Sequence, residues 1–211
     1  MQNYALEELF FSLSDSEKEL LDKLEAYEKE LNFPAVKKDV GSLLNFLTTL
    51  KNPKNIFEFG SGYGHSAFWY LQANSQQLQS IHLTEKRDDL EAVFHELPWP
   101  SDWKSKLVYH QGDAFESLEK IETDFDLVLV DGVKAQYQTF LKTIHQRLKP
   151  GAIVIVDNCF WKGRFLDEKE LHKTSPKAIK ELHLWLKSQD LYRVSFLPIS
   201  DGIFLLRKNE E

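Results

Sequence analysis

The ends of successive apolar runs in this chain carry acids. Glu58 lies in the run 56–59, Glu85 follows 81–84, Asp113 lies beyond 107–110, Asp131 follows 127–130, and Asp157 with Asn158 follows 153–156. Asp131, Asp157 and Asn158 offer two carboxylates and an amide oxygen. These are hard ligands suited to Mg2+ or Mn2+, with about three octahedral positions left for water and substrate. An Asp-Asn pair after a strand also suits a plain turn, so the pair alone does not decide. No His/Cys cluster points to zinc. Lys134 lies three residues past Asp131 at the expected start of a helix, which can turn it back to the same edge. Beside a divalent cation its ammonium is disfavoured, which suits it to act as a general base toward a substrate hydroxyl.

A glycine-rich loop, Gly60, Gly62 and Gly64, follows the first run and allows close backbone approach to a ligand. Its spacing departs from the dinucleotide fingerprint, because the sixth position is His65. Glu85, about 20 residues onward, can accept both hydroxyls of a ribose. A pyrophosphate beside Glu58, Asp113 and Asp131 would be repelled, whereas a sulfonium ligand carrying an ammonium is attracted. S-adenosylmethionine therefore fits this edge better than a nicotinamide dinucleotide. Asp113, between Gly112 and Ala114, is placed to meet the adenine by a side-chain or backbone hydrogen bond. A metal on Asp131, Asp157 and Asn158 would then bind a substrate hydroxyl and orient its oxyanion in line with the sulfonium methyl. Cys159 reads as a small buried residue, and none of the seven histidines has triad spacing.

Such an edge needs a parallel sheet. Short apolar runs alternate with amphipathic segments near 66–73, 87–97, 115–121 and 137–148, which predicts a βαβ series with helices on both faces. Pro150 and Gly151 read as the turn into the fifth strand. A helix near 176–187 and two closing runs, 191–197 and 203–207, follow; their short link permits only a hairpin, so the last strand is antiparallel. Ahead of the first strand, the Ser14 and Glu17 capping box opens a helix to about Leu31. A second helix carries Val40, Leu43, Leu44, Phe46, Leu47 and Leu50 on one face. The expected organisation is one domain over 1–211, with N-terminal helices in 1–53 and the core in 54–211.

The 211 residues carry a net charge of −7, which argues against a surface that is wholly a nucleic-acid clamp but not against a local basic patch. Residues 1–36 hold nine acids and three lysines, while 158–187 hold seven bases and four acids. The longest apolar runs fall far short of a membrane span, and Glu7 and Glu8 do not suit a signal peptide. With one cysteine, no internal disulfide forms, so the expectation is a soluble cytoplasmic protein. Directly after the acidic ligands, Phe160, Trp161, Lys162 and Arg164 interleave aromatic and basic side chains that can stack on an exposed base and meet phosphates. The same residues suit a flat phenol.

Taken together, the ordered motifs Glu58-Phe-Gly-Ser-Gly-Tyr-Gly-His-Ser66, Gly112-Asp-Ala114, Val130-Asp-Gly-Val-Lys134, Val156-Asp-Asn158 and Leu197-Pro-Ile-Ser-Asp-Gly202 resemble the cation-dependent class I O-methyltransferases, the group of catechol and caffeoyl-CoA O-methyltransferases. The resemblance implies a Rossmann-like α/β fold with a seven-stranded, mostly parallel sheet. It also implies a divalent cation on Asp131, Asp157 and Asn158, and Lys134 as base. The implied methyl-donor pocket comprises Glu58, Ser66, Glu85, Asp113, Ala114 and Asp131. Within this group, Leu24-Glu-Ala-Tyr27, Lys134-Ala-Gln-Tyr-Gln-Thr-Phe140 and Asp157-Asn-Cys-Phe-Trp-Lys-Gly163 look like the bacterial tRNA 5-hydroxyuridine methyltransferases. That likeness implies a tRNA anticodon loop as partner, Val36 in the donor pocket and a homodimer. A small-phenol O-methyltransferase, a non-catalytic binding module and an NAD-dependent oxidoreductase are the alternatives.

Overall fold

In the computed structural model, residues 12–210 are described. The helix α1 (Asp15–Glu30) opens on the expected box: Ser14 accepts from the Glu17 amide, and the Glu17 carboxylate accepts from the Ser14 amide. Its apolar stripe buries Leu20, Leu21 and Leu24. Helix α2 (Lys38–Lys51) follows and ends on Asn52 in the left-handed region, which asparagine tolerates. The alternating part then runs β1 (Asn55–Phe59), α3 (His65–Gln72), β2 (Ser80–Glu85), α4 (Asp88–Glu96), α5 (Ser101–Lys104), β3 (Leu107–Gln111), α6 (Ala114–Lys120), β4 (Phe125–Val130), α7 (Tyr137–Ile144), β5 (Leu148–Val156), α8 (Thr174–Ser188), β6 (Tyr192–Leu197) and β7 (Ile203–Lys208). Single 3-10 turns lie at Lys134–Gln136, His145–Arg147 and Glu168–Glu170, and a kinked 3-10 segment, interrupted at Lys162 and Gly163, spans Trp161–Leu166.

One seven-stranded sheet has the order β3-β2-β1-β4-β5-β7-β6. The first five strands pair in parallel, while β7 runs antiparallel to both β5 and β6. Strand β1 is buried at every position, as a strand covered on both faces must be. One face packs Leu20, Leu44, Phe68 and Leu83. The other packs Phe57, Phe140, Val154 and Ile179.

Several expectations are corrected. Phe46 and Leu50 do not share the buried face of α2; they are exposed, because the stripe that packs is Val40, Leu44 and Leu47. Leu148, Pro150 and Gly151 belong to β5 rather than to a helix end and a turn, and the β4–β5 register shifts between Phe125 and Leu127 to absorb them. The helix expected over 137–148 stops at Ile144 and continues as a 3-10 turn. Glu7 and Glu8 lie outside the described residues. Among the described residues, no helix is long and apolar enough to cross a membrane.

Candidate active site

The order of the sheet reverses at β1 and β4, and parallel strands of this kind open a crevice at their carboxyl ends. Backbone bonds stitch those ends together. The Gly60 amide donates to Thr84 O at 3.1 Å, Asp131 to Phe59 O at 2.9 Å and Asp157 to Val130 O at 3.0 Å. Because Val130 pairs with Val156, Asp131 and Asp157 leave adjacent strands at the same level.

These two acids face one wide cleft of about 690 Å3, together with Asn158, Lys134, Trp161, Lys162 and Arg164. Burial, reinforced by the charge of Asp131, pushes Asp157 up to about 7. Asp131 is also raised by burial, against the pull of Lys134. Two carboxylates side by side, Asp157 buried and Asp131 half-buried, call for positive charge. One lysine supplies part of it: Lys134 Nζ lies 3.0 Å from Asp131 Oδ1 and 3.3 Å from Gly132 O, with the rings of Tyr137 and Trp161 at 5.1 and 5.7 Å. Asn158 takes a left-handed φ of 56°, and its amide donates to Asp157 Oδ1 at 2.6 Å. Among the described residues no three His, Cys, Asp or Glu side chains gather as a metal cage. The donor set is two carboxylates and an amide, and its oxygen-only chemistry and charge deficit fit a divalent ion.

A second cleft of about 210 Å3 is lined by Glu85, Lys86, Gly112 and Ala114. Glu85 is oriented by three amides, those of Gly62, Lys86 and Arg87. The Asp113 carboxylate is turned away to cap α6 through the Phe115 amide and to pair with Lys86. Asp113 therefore has its backbone, rather than its carboxylate, to offer an adenine. A narrow recess next to these clefts joins Val36, Glu58, Ser61, His65, Ser66 and Asp131. Glu58 is 1% exposed, and Ser66 Oγ lies 2.6 Å from both of its oxygens. Burial pushes Glu58 up to about 8, opposed by the Ser66 hydrogen bond.

The glycines divide their duties. A side chain at Gly60 would strike Gly132, where β1 and β4 leave the sheet, and one at Gly62 would strike the Phe33 ring. Gly64 faces Phe94 and Trp99 instead, beneath the loop. At the rim Trp161 and Lys162 adopt φ of 45° and 53°, strained for such side chains, held by Lys162 N to Asp201 Oδ1 and Phe160 N to Asp201 O, each at 2.7 Å. Phe33, Lys37, Ser200 and Asp201 also line the wide cleft. Phe33 and Lys37 lie in an irregular link between helices, where no periodicity singles them out.

A family profile described as "O-methyltransferase" matches residues 11–209. The caffeoyl-CoA O-methyltransferase 1 of Eucalyptus globulus is 25% identical over 191 residues, covering 84% of this chain and 76% of that protein. The caffeoyl-CoA O-methyltransferase 1 of Arabidopsis thaliana is 24% identical over 192 residues, covering 84% and 72%. Among solved structures, the O-methyltransferase TomG of Streptomyces achromogenes, involved in tomaymycin synthesis and bound to S-adenosylmethionine, superposes with a TM-score of 0.83 at 20% identity, covering 97% of this chain and 94% of that one. An O-methyltransferase of Bacillus cereus in complex with SAH gives 0.82 at 18% identity, covering 97% and 95%. These structural likenesses establish the Rossmann-like methyltransferase fold.

Proposed function

The chain belongs to the O-methyltransferase family, and from that premise we propose that it transfers the methyl group of S-adenosylmethionine, with Mg2+ or Mn2+, to the hydroxyl oxygen of 5-hydroxyuridine at the tRNA wobble position. The observation that carries the chemistry is the pair of acids, Asp131 and Asp157, delivered side by side with Asn158 at the floor of an open cleft.

In this reading Glu85 takes the ribose hydroxyls of the donor, the backbone of 112–114 meets its adenine, and Glu58 with Ser66 and Val36 receives its amino-acid end. Gly60, beneath Asp131, lets the donor approach the backbone. A divalent ion held by Asp131, Asp157 and Asn158 would supply, when bound, a coordination position for the acceptor oxygen, charge to stabilise its anion and a counter-charge for the two acids. Lys134 Nζ, once it has given up its own proton and stands as the neutral amine, takes the proton that leaves the hydroxyl. The oxygen lone pair forms the new C–O bond as the C–S bond breaks and its electron pair stays on sulfur, leaving S-adenosylhomocysteine. Trp161 offers a face for the uracil ring, and Lys162 and Arg164 offer charge to flanking phosphates of the anticodon loop.

What supports an RNA acceptor is the width of the cleft and its basic, aromatic rim. A second reading, a small phenolic ring as acceptor, is favoured by the caffeoyl-CoA O-methyltransferases among the relatives. The test is methylation of 5-hydroxyuridine-containing tRNA against a panel of catechols, with S-adenosylmethionine and Mg2+. The proposal expects 5-methoxyuridine by nucleoside mass spectrometry. Methylated catechols with unmodified tRNA would replace it with the second reading.

A further inference from the structure

The wide cleft, the cleft beside Glu85 and the recess beside Glu58 meet at a junction, and Phe33, Gly60 and Asp131 line all three. A ligand reaching from Glu85 to Glu58 and presenting one atom to the wide cleft must bring that atom to this junction. For S-adenosylmethionine the atom is the sulfonium with its methyl group. Gly60 contributes backbone there and Asp131 a carboxylate. Phe33 is the one aromatic group common to the three walls.

Its position is fixed before any ligand arrives. Helix α1 ends in a Schellman motif, with Asn32 at φ 46°, the Asn32 amide on Lys29 O and the Phe33 amide on Glu28 O at 3.2 Å. The ring then fills the space over Gly62, where a Cβ would stand 2.5 Å from its Cε1. It meets Tyr63 edge-on at 5.8 Å, and the Arg87 guanidinium lies 5.3 Å from its centroid. Tyr63 is in turn anchored by its hydroxyl to Leu24 O at 3.1 Å. The ring is thus held just beyond the end of α1, against the glycine loop, and lines all three cavities.

Resting on the donor assignment above, we infer that Phe33 is the aromatic wall of the sulfonium subsite and makes the protein bind the charged methyl donor in preference to its neutral thioether product. An aromatic face attracts a cation that has lost its water, and the attraction disappears when the sulfur becomes neutral. The carboxylates of Glu85 and Asp131 add attraction for the positive charge from the other walls. Once the methyl group has left, the subsite loses its preference and the product is released more readily.

The test is equilibrium binding, without acceptor or turnover, of S-adenosylmethionine and S-adenosylhomocysteine to the wild-type chain and to Phe33→Leu and Phe33→Trp. The leucine keeps apolar bulk without a π face; the tryptophan keeps the face. Phe33→Leu is expected to weaken S-adenosylmethionine by about 5–30-fold, the range of a desolvated cation–π contact, and to leave S-adenosylhomocysteine nearly unchanged. Phe33→Trp is expected to retain the wild-type ratio of the two affinities. A loss in Phe33→Leu that is equal for both ligands, or no loss, overturns the role of Phe33 while the donor assignment stands. Failure of the wild-type chain to bind either ligand overturns the donor assignment and this inference with it.

Discussion

Replacing Glu58 with Gln removes the most deeply buried acid of the site and should make the ligand-free protein more stable. Glu58 is 1% exposed and its pKa rises from an ordinary 4.5 to about 8, chiefly through burial. The folded protein therefore holds a proton that the unfolded chain releases. The sign follows from linkage: the contribution is fully favourable below about 4.5 and is lost as pH rises toward about 8. At 1.36 kcal/mol per pH unit, the cost near pH 7 is at most ~3 kcal/mol. The gain in Glu58→Gln is reduced because the Ser66 hydroxyl keeps an acceptor while the new amide NH2 needs a partner, leaving about 1–3 kcal/mol. For a chain of this size that is a rise in Tm of roughly 2–12 °C. The assay is thermal or urea unfolding of both proteins, free of donor, at pH 4.5 and pH 7.5. A gain at pH 7.5 that vanishes at pH 4.5 supports the reasoning; an equal difference at both, or a loss at pH 7.5, refutes it.

Other outcomes follow from the same geometry. Asp113→Ala removes the cap of α6 and the Lys86 pair, so it should cost about 1 kcal/mol in urea unfolding. His82 Nδ1 and His110 Nε2 lie 3.0 Å apart; burial, then the neighbouring His110, lowers His82 to about 4, and burial lowers His110. Both histidines gain protons on unfolding in mild acid, so stability should fall as pH drops from about 6.5 toward 4, less steeply in His82→Gln, as followed by urea midpoints. If the acceptor is RNA, Lys162→Gln should weaken tRNA binding and lower the log–log salt slope by about 1, measured by titration at several salt concentrations.

The sheet was legible because its strands carry both the periodicity and the chemistry. A parallel strand buried on both faces is a short apolar run, and its carboxyl end is where a polar residue first meets the crevice, so 127–130 with Asp131 and 153–156 with Asp157 mark fold and site at once. Asp113 shows the limit of that reading. The sequence places it at a strand end but does not say whether its carboxylate faces a ligand or caps α6, since both use the same backbone geometry. Phe33 left no mark, because its place depends on a helix cap in one segment and an absent side chain, Gly62, in another. Phe46 and Leu50 misled for the opposite reason: apolar type alone does not fix which stripe of α2 meets the core.

Asp131, Asp157 and Asn158 should form one divalent-cation site, and calorimetric titration of Mn2+ into the wild-type chain and Asp157→Ala tests this most directly. A single saturable site in the wild type, weakened by more than about 100-fold in the variant, is the expected result, since even the partners that merely support metal ligands are worth 10–100-fold. Equal affinity in the two proteins would contradict it.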